Sequence, residues 1–196
     1  MGLSRVLGRS FFRREALAVA PDLLNKVLIR EDPTAGRLSG RIVEVEAYLG
    51  GEDPASHGYK GRTARNAVMF GPPGHLYVYF TYGMHYCANV VCGEEGESAA
   101  VLIRAVAPRP PLDPLYARRP AARRDRDLCS GPAKLCQALG IDRTLNGVDL
   151  VRGVVRLVDD GVAPPARPAR SRRIGIREAV EHEWRFAVPG DPNVSR

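Results

Sequence analysis

Apolar and polar positions alternate most cleanly over residues 41–49, where Val43, Val45, Ala47 and Leu49 fall on one face and Glu44, Glu46 and Tyr48 on the other. A period of two predicts an amphipathic strand, with the Val43 face turned inward. Residues 26–30 predict an earlier strand, and residues 76–81 and 86–91 a pair joined by a turn at Tyr82-Gly83. Residues 99–106 are apolar throughout except for Arg104, and further strands are expected near 148–158 and 172–176. Helical spacing covers residues 11–25, with Pro21 opening a second short helix. Ser130 is placed to cap another helix, with Pro132 in its first turn and Gly140 just past its end. Residues 50–74 lack any period and are rich in Gly, Pro and polar residues, so they predict a long surface loop of the kind that carries function. Residues 109–127 read as a mobile loop rich in Arg and Pro. Many strands and few helices predict a mixed α/β class, a single domain over residues 1–196 with a curved, mainly antiparallel sheet flanked by a few helices.

Charge adds an asymmetry that the pattern does not contain. The 196 residues carry 29 Lys plus Arg against 22 Asp plus Glu, a formal charge of +7. Residues 1–98 are balanced, so the whole excess lies in the second half, with Arg clusters at 104–126 and 167–177. Clusters of this kind meet polyanions such as nucleic acid, although only 3 of the basic residues are Lys and a general Arg bias gives the same count. Cys87, Cys92, Cys129 and Cys136 form no C-x-x-C pair and read as buried thiols in a reducing compartment. His85 and Cys87 lack the paired spacing of a zinc site, so no metal is expected. No apolar run reaches the roughly 18 residues of a membrane span, which points to a cytoplasmic protein with no membrane partner. The first 14 residues have no acid and resemble a transit peptide, without a signal-peptide core; Val6 stands where myristoylation needs Ser or Thr.

Candidate chemistry lies on the strands. Glu44, Glu46 and Tyr48 project together, and they read either as the solvated side of a strand or as an acid/base site. Tyr77, Tyr79, Phe80 and Tyr82 form an aromatic run that suits a core, but three hydroxyls in a dry core all need partners. Tyr82 precedes a Gly at a turn, where a ring is displayed and can stack on or wedge between bases. Arg104 requires either a buried anion or an exposed edge position, because an unpaired buried charge is prohibitively costly. His57 and Asn89 carry no signal alone.

Taken together, RIVEVEAYLG, EDPASH, RNAVMFGPPGHLYVYFTYGMHYCANVV, VLIRA and LCSGPAKLCQALGI, in this order along residues 41–141, resemble the alkyladenine (3-methyladenine) DNA glycosylase family. Weaker similarity continues through SRRIGI, WRF and VPGDPNVS, and no motif is recognised over residues 109–126. The resemblance implies a monofunctional enzyme without cofactor. It would flip a damaged purine out of duplex DNA and hydrolyse its N-glycosidic bond, leaving an abasic site. The expected substrates are 3-methyladenine and 7-methylguanine, with hypoxanthine and ethenoadenine as further candidates. By resemblance Glu46 activates water, Arg104 orients Glu46, and Val155 adds a backbone carbonyl to the water. Tyr48, His57, Tyr79 and Asn89 form the base pocket, and Tyr82 intercalates where the nucleotide has left. An alkylated purine is cationic, and aromatic faces attract it by ~0.5–2 kcal/mol. Arg118, Arg119, Arg123 and Arg124 are candidate phosphate contacts, and a monomer is expected to act on double-stranded DNA. Two rival readings are a non-catalytic nucleic-acid-binding module using the Tyr platform and Arg patch, and a carbohydrate hydrolase working through Glu44 and Glu46.

Overall fold

The computed structural model describes residues 4–195, so Met1, Gly2 and Leu3 of the transit-like segment lie outside it. The rest of that segment belongs to the fold: Arg5–Val6 forms strand β1, Arg9–Phe12 forms helix α1, and Phe12 is fully buried. Helix α2 spans Ala16–Leu23. The predicted single stretch therefore breaks at residues 13–15, and Pro21 sits inside α2 instead of opening a new helix.

Strands β2 (Val27–Asp32), β3 (Gly36–Tyr48), β4 (Leu76–Thr81), β5 (His85–Cys92) and β6 (Ala99–Arg109) follow. After them come short helices α3 (Asp113–Arg118) and α4 (Asp125–Leu128), helix α5 (Pro132–Leu139), and strands β7 (Val155–Asp159), β8 (Ala169–Ser171) and β9 (Arg185–Ala187). Every pairing is antiparallel, in the order β1-β7-β2-β3-β6-β5-β4, with β9 joining β3 to β8. The result is mixed α/β, a curved antiparallel sheet flanked by five helices. The longest strand, β3, is central: β6 lines one edge, while β2 and then β9 share the other. Residues 109–127 are not a plain loop. They carry α3 and α4, whose Leu115 and Leu128 are fully buried.

A bulge in β3 corrects the predicted inward face. Ile42 pairs with Val106 and Glu44 with Ala105, which leaves Val43 without a partner in β6. Val45 then pairs with Ile103, which leaves Arg104 unpartnered in turn, so both strands switch their alternation at this irregularity; the core side of β3 reads Leu38, Ile42, Val45 and Ala47, and Val43 is buried outside that core cluster. On the same core side β4 contributes Leu76 and Val78, β5 Ala88 and Val90, and β6 Val101 and Ile103, packed with residues of α2 and α5. Helix α5 is capped by Gly131 with no side-chain bond, and the Ser130 hydroxyl accepts from Lys134 instead. Gly140 ends the helix in the left-handed conformation, as the sequence predicts.

Candidate active site

The alternation that sends Val45 and Ala47 into the core sends Glu44, Glu46 and Tyr48 to the opposite, concave face. The same rule places Tyr77 and Tyr79 of β4, Cys87 and Asn89 of β5, and Leu102 and Arg104 of β6 beside them. A cavity of about 510 Å³ opens there, bounded also by His57, Met69, Tyr82 and residues 174–178. That volume lies in the usual range for a small-molecule pocket.

Glu44 and Glu46 are both completely buried, which removes the reading of a solvated strand face. Arg104 is 6% exposed and bridges them: its Nε donates to Glu44 Oε1 at 2.8 Å, and one terminal nitrogen lies 3.2 Å from Glu46 Oε1. The anion that the strand pattern demanded is thus a pair of carboxylates. Glu46 Oε1 also accepts the Ile174 N–H at 2.7 Å, and Oε2 accepts the Tyr48 hydroxyl at 2.9 Å. A carboxylate has about four lone-pair sites, so these three donors leave one site on Oε2. Burial pushes the Glu46 carboxyl above its ordinary range, outweighing Arg104, the Ile174 N–H and Tyr48. Burial acts on Glu44 in the same direction, but the Ser195 N–H, Arg185 and Arg104 outweigh it and hold that carboxyl low. Burial and the adjacent Glu46 keep the Tyr48 phenol protonated. Val155 is elsewhere, paired with Arg30 in the β2–β7 ladder; the backbone group beside Glu46 is the Ile174 N–H, a donor to the carboxylate.

The aromatic walls are braced from behind. His57 Nδ1 lies 3.1 Å from the Tyr77 hydroxyl, and its ring meets Tyr79 edge-on with centroids 4.4 Å apart. Burial, with Arg65 nearby, lowers the His57 pKa and favours a neutral ring. The long loop that carries His57 is tied by buried Asn66, whose Nδ2 donates to the carbonyls of His57 at 2.7 Å and Gly61 at 3.0 Å. Asn89 Nδ2 donates to the Tyr77 carbonyl at 3.1 Å. Behind Tyr48 the Arg173 guanidinium lies between two rings, 4.6 Å from the Tyr48 centroid and 4.9 Å from that of Trp184. Arg173 also pairs with fully buried Asp53 and donates to the Ala47 carbonyl at 3.0 Å.

Tyr82 occupies the β4–β5 turn at φ 51°, with Gly83 at 67°. A left-handed Tyr costs on the order of 1 kcal/mol, and the turn spends this strain on a ring that is 80% exposed. Of the candidate phosphate contacts, Arg118 pairs with Asp32 at 2.8 Å, Arg119 donates to Gln137 at 2.8 Å, and Arg124 pairs with Asp127 at 3.2 Å. Arg118 lies against Gly140, past the C-terminal end of α5, whereas Pro132 at the helix start lines the pocket. About 12 Å of helix separates the two.

A family model described as methylpurine-DNA glycosylase (MPG) matches residues 10–192. The chain belongs to the methylpurine-DNA glycosylase family. As a member it is a DNA glycosylase, a hydrolase of N-glycosidic bonds that serves DNA repair. Relatives named "Putative 3-methyladenine DNA glycosylase" are 56% identical in Burkholderia cenocepacia, over 97% of this chain and 91% of the relative. In Streptomyces avermitilis identity is 49%, over 96% and 90%, and in Methanocella arvoryzae 48%, over 97% and 96%. Among the described residues of this glycosylase no helix is long and apolar enough to cross a membrane. The structure brings together seven of the residues singled out in the sequence, Glu46, Tyr48, His57, Tyr79, Tyr82, Asn89 and Arg104, and leaves the Arg118–Arg124 group apart. It adds Asn66 and Tyr77, from the stretch that begins RNAVMF, and Arg173, Ile174, Arg185 and Ser195, from SRRIGI, WRF and VPGDPNVS; these stretches carry the resemblance, but it assigns these residues no site role.

Proposed function

We propose that this glycosylase flips alkylated purines, such as 3-methyladenine and 7-methylguanine, out of duplex DNA and releases them by hydrolysis with Glu46 as the base. The supporting observation is the Glu46–Arg104 pair beneath a pocket walled by Tyr48, His57 and Tyr79. Water held at the free lone pair of Glu46 Oε2 attacks the anomeric carbon as the C–N bond breaks. Its proton passes to Glu46, the bonding electrons leave with the base, and an abasic sugar remains. Alkylation makes the purine cationic, so it departs neutral and needs no acid. Aromatic faces favour that cation, and the developing positive charge on the sugar is stabilised by the same carboxylate. A Tyr77 hydroxyl donating to His57 Nδ1 puts the single proton of the neutral ring on Nε2, free to donate to the base. Asn89 crowds the exocyclic amine of guanine, and displayed Tyr82 fills the gap in the duplex.

The enzyme acts as a monofunctional monomer on damaged double-stranded DNA. Arg65, over the Tyr79 ring, and exposed Arg177 at the pocket mouth supply the nearest phosphate contacts, and Arg118, Arg119, Arg123 and Arg124 a more remote share. The test is single-turnover excision from duplexes that each carry one modified purine. Glu46→Gln is expected to lower excision by about three orders of magnitude while lesion binding stays within a few fold. Unchanged excision would refute the assignment.

A further inference from the structure

Glu44 takes no part in the proposed hydrolysis, yet it is fully buried and accepts four hydrogen bonds. Its Oε1 accepts from Arg104 Nε at 2.8 Å, Arg185 Nε at 2.6 Å and the Ser195 hydroxyl at 2.8 Å, and its Oε2 accepts the Ser195 N–H at 2.6 Å. The C-terminal segment reaches back across the sheet to make the last two bonds, and Ser195 Oγ also accepts from Arg104 at 3.3 Å. These ties hold the Nε side of Arg104 and leave a terminal nitrogen for Glu46. Period-two alternation sets both carboxylates on one face of β3, and Arg104, skipped in the register between Ala105 and Ile103, reaches both.

We infer that Glu44, clamped by Arg185 and Ser195, is a positioning residue that fixes Arg104 against Glu46 and shares its positive charge, so that Glu46 remains an effective base. The inference rests on Glu46 being the base. A guanidinium devoted to one carboxylate would over-stabilise the anion and weaken it as a proton acceptor; divided between two, it orients Glu46 at smaller cost in basicity. The charged and titratable groups facing Glu46 are Glu44 and Tyr48 on β3, Arg104 on β6, Cys87 on β5, Arg185 opposite it on β9, and Arg173 beside the Ile174 N–H. Of these only Glu44 is a second anion bound to the same guanidinium.

The sign follows directly. Losing the Glu44 charge leaves Arg104 to act on Glu46 alone, so Glu46 becomes more acidic. The test is the pH profile of single-turnover base release from dimethyl-sulfate-treated duplex DNA, with spontaneous depurination subtracted. In Glu44→Gln the midpoint of the acid limb is expected to fall by about one unit and the plateau by about tenfold. Ser195→Ala, which keeps the backbone donor and covers the case where Glu44→Gln does not fold, removes a hydroxyl that disperses the Glu44 charge. Its midpoint should move the other way, up by a few tenths of a unit. A lowered plateau with an unmoved limb in either variant would mean that Glu44 only holds the sheet together, and the inference is overturned. If the wild-type protein releases no base, or Glu46→Gln retains the wild-type limb, the proposed function itself fails and this inference falls with it.

Discussion

The two Arg-rich regions look alike in the sequence and do opposite things in the fold. Between residues 109 and 126, Arg118, Arg119 and Arg124 sit on or beside short helices, each bonded to a neighbour, Asp32, Gln137 and Asp127 in turn. Of the later cluster, 167–177, Arg173 is drawn into the site and Arg185 joins it from β9, while Arg167, Arg170, Arg172 and Arg177 stay exposed. Arg173 is completely buried against Asp53 between two aromatic rings, and Arg185 reaches Glu44. Local charge density is therefore a poor guide to the role of a cation. What separates Arg173 from the surface arginines is burial of both partners: a fully buried pair is held rigidly in a low dielectric, whereas a guanidinium that reaches solvent is screened by water and salt.

The sharpest way to break this comparison is Arg173→Gln. Breaking a buried pair leaves an uncompensated charge on Asp53 and costs ~3–5 kcal/mol, which denaturant unfolding would record. The double variant Asp53→Asn/Arg173→Gln should recover much of that loss. A smaller effect is expected at the pocket mouth. Arg65→Gln and Arg177→Gln should each weaken duplex binding and reduce the slope of log affinity against log salt by about one, with stability unchanged. Smallest of all is Arg119→Gln/Arg123→Gln, which should lower affinity for damaged and undamaged duplex alike by a few fold and leave the order of lesion preference as it was. A change in lesion preference there would move the remote arginines into the site and erase the distinction.

The strands were legible because period-two patterns report burial directly. Residues 76–81 and the start of β6 at Ala99 agree with the expectation, and Arg104 announced a buried anion by interrupting an apolar run. Val43 was misplaced because a bulge depends on what β6 offers opposite it, and no pattern within β3 contains that information. The strand expected at 172–176 lies instead at 169–171, as β8, and β9 was not expected: three-residue strands have too few positions to show a period, and these two pair along the edge of β3 beyond β2. Helices α3 and α4 were hidden by the density of Pro, whose local signal favours loops, and by their six- and four-residue lengths; their buried Leu115 and Leu128 prevail.

The alternating strands, the pair of carboxylates on one face, the displayed turn at Tyr82 and the excess of positive charge are all readable along the chain, because each depends on composition or on residues close together. Only the tertiary structure decided which cation meets which anion. Glu44 collects Arg104, Arg185 and Ser195 from positions 60, 141 and 151 residues away, and Ile174 reaches Glu46 from 128 residues away. Contacts of that reach arise from sheet closure; burial acts on both carboxyls alike, and the donors gathered on Glu44 separate its basicity from that of Glu46, a residue of the same type on the same strand.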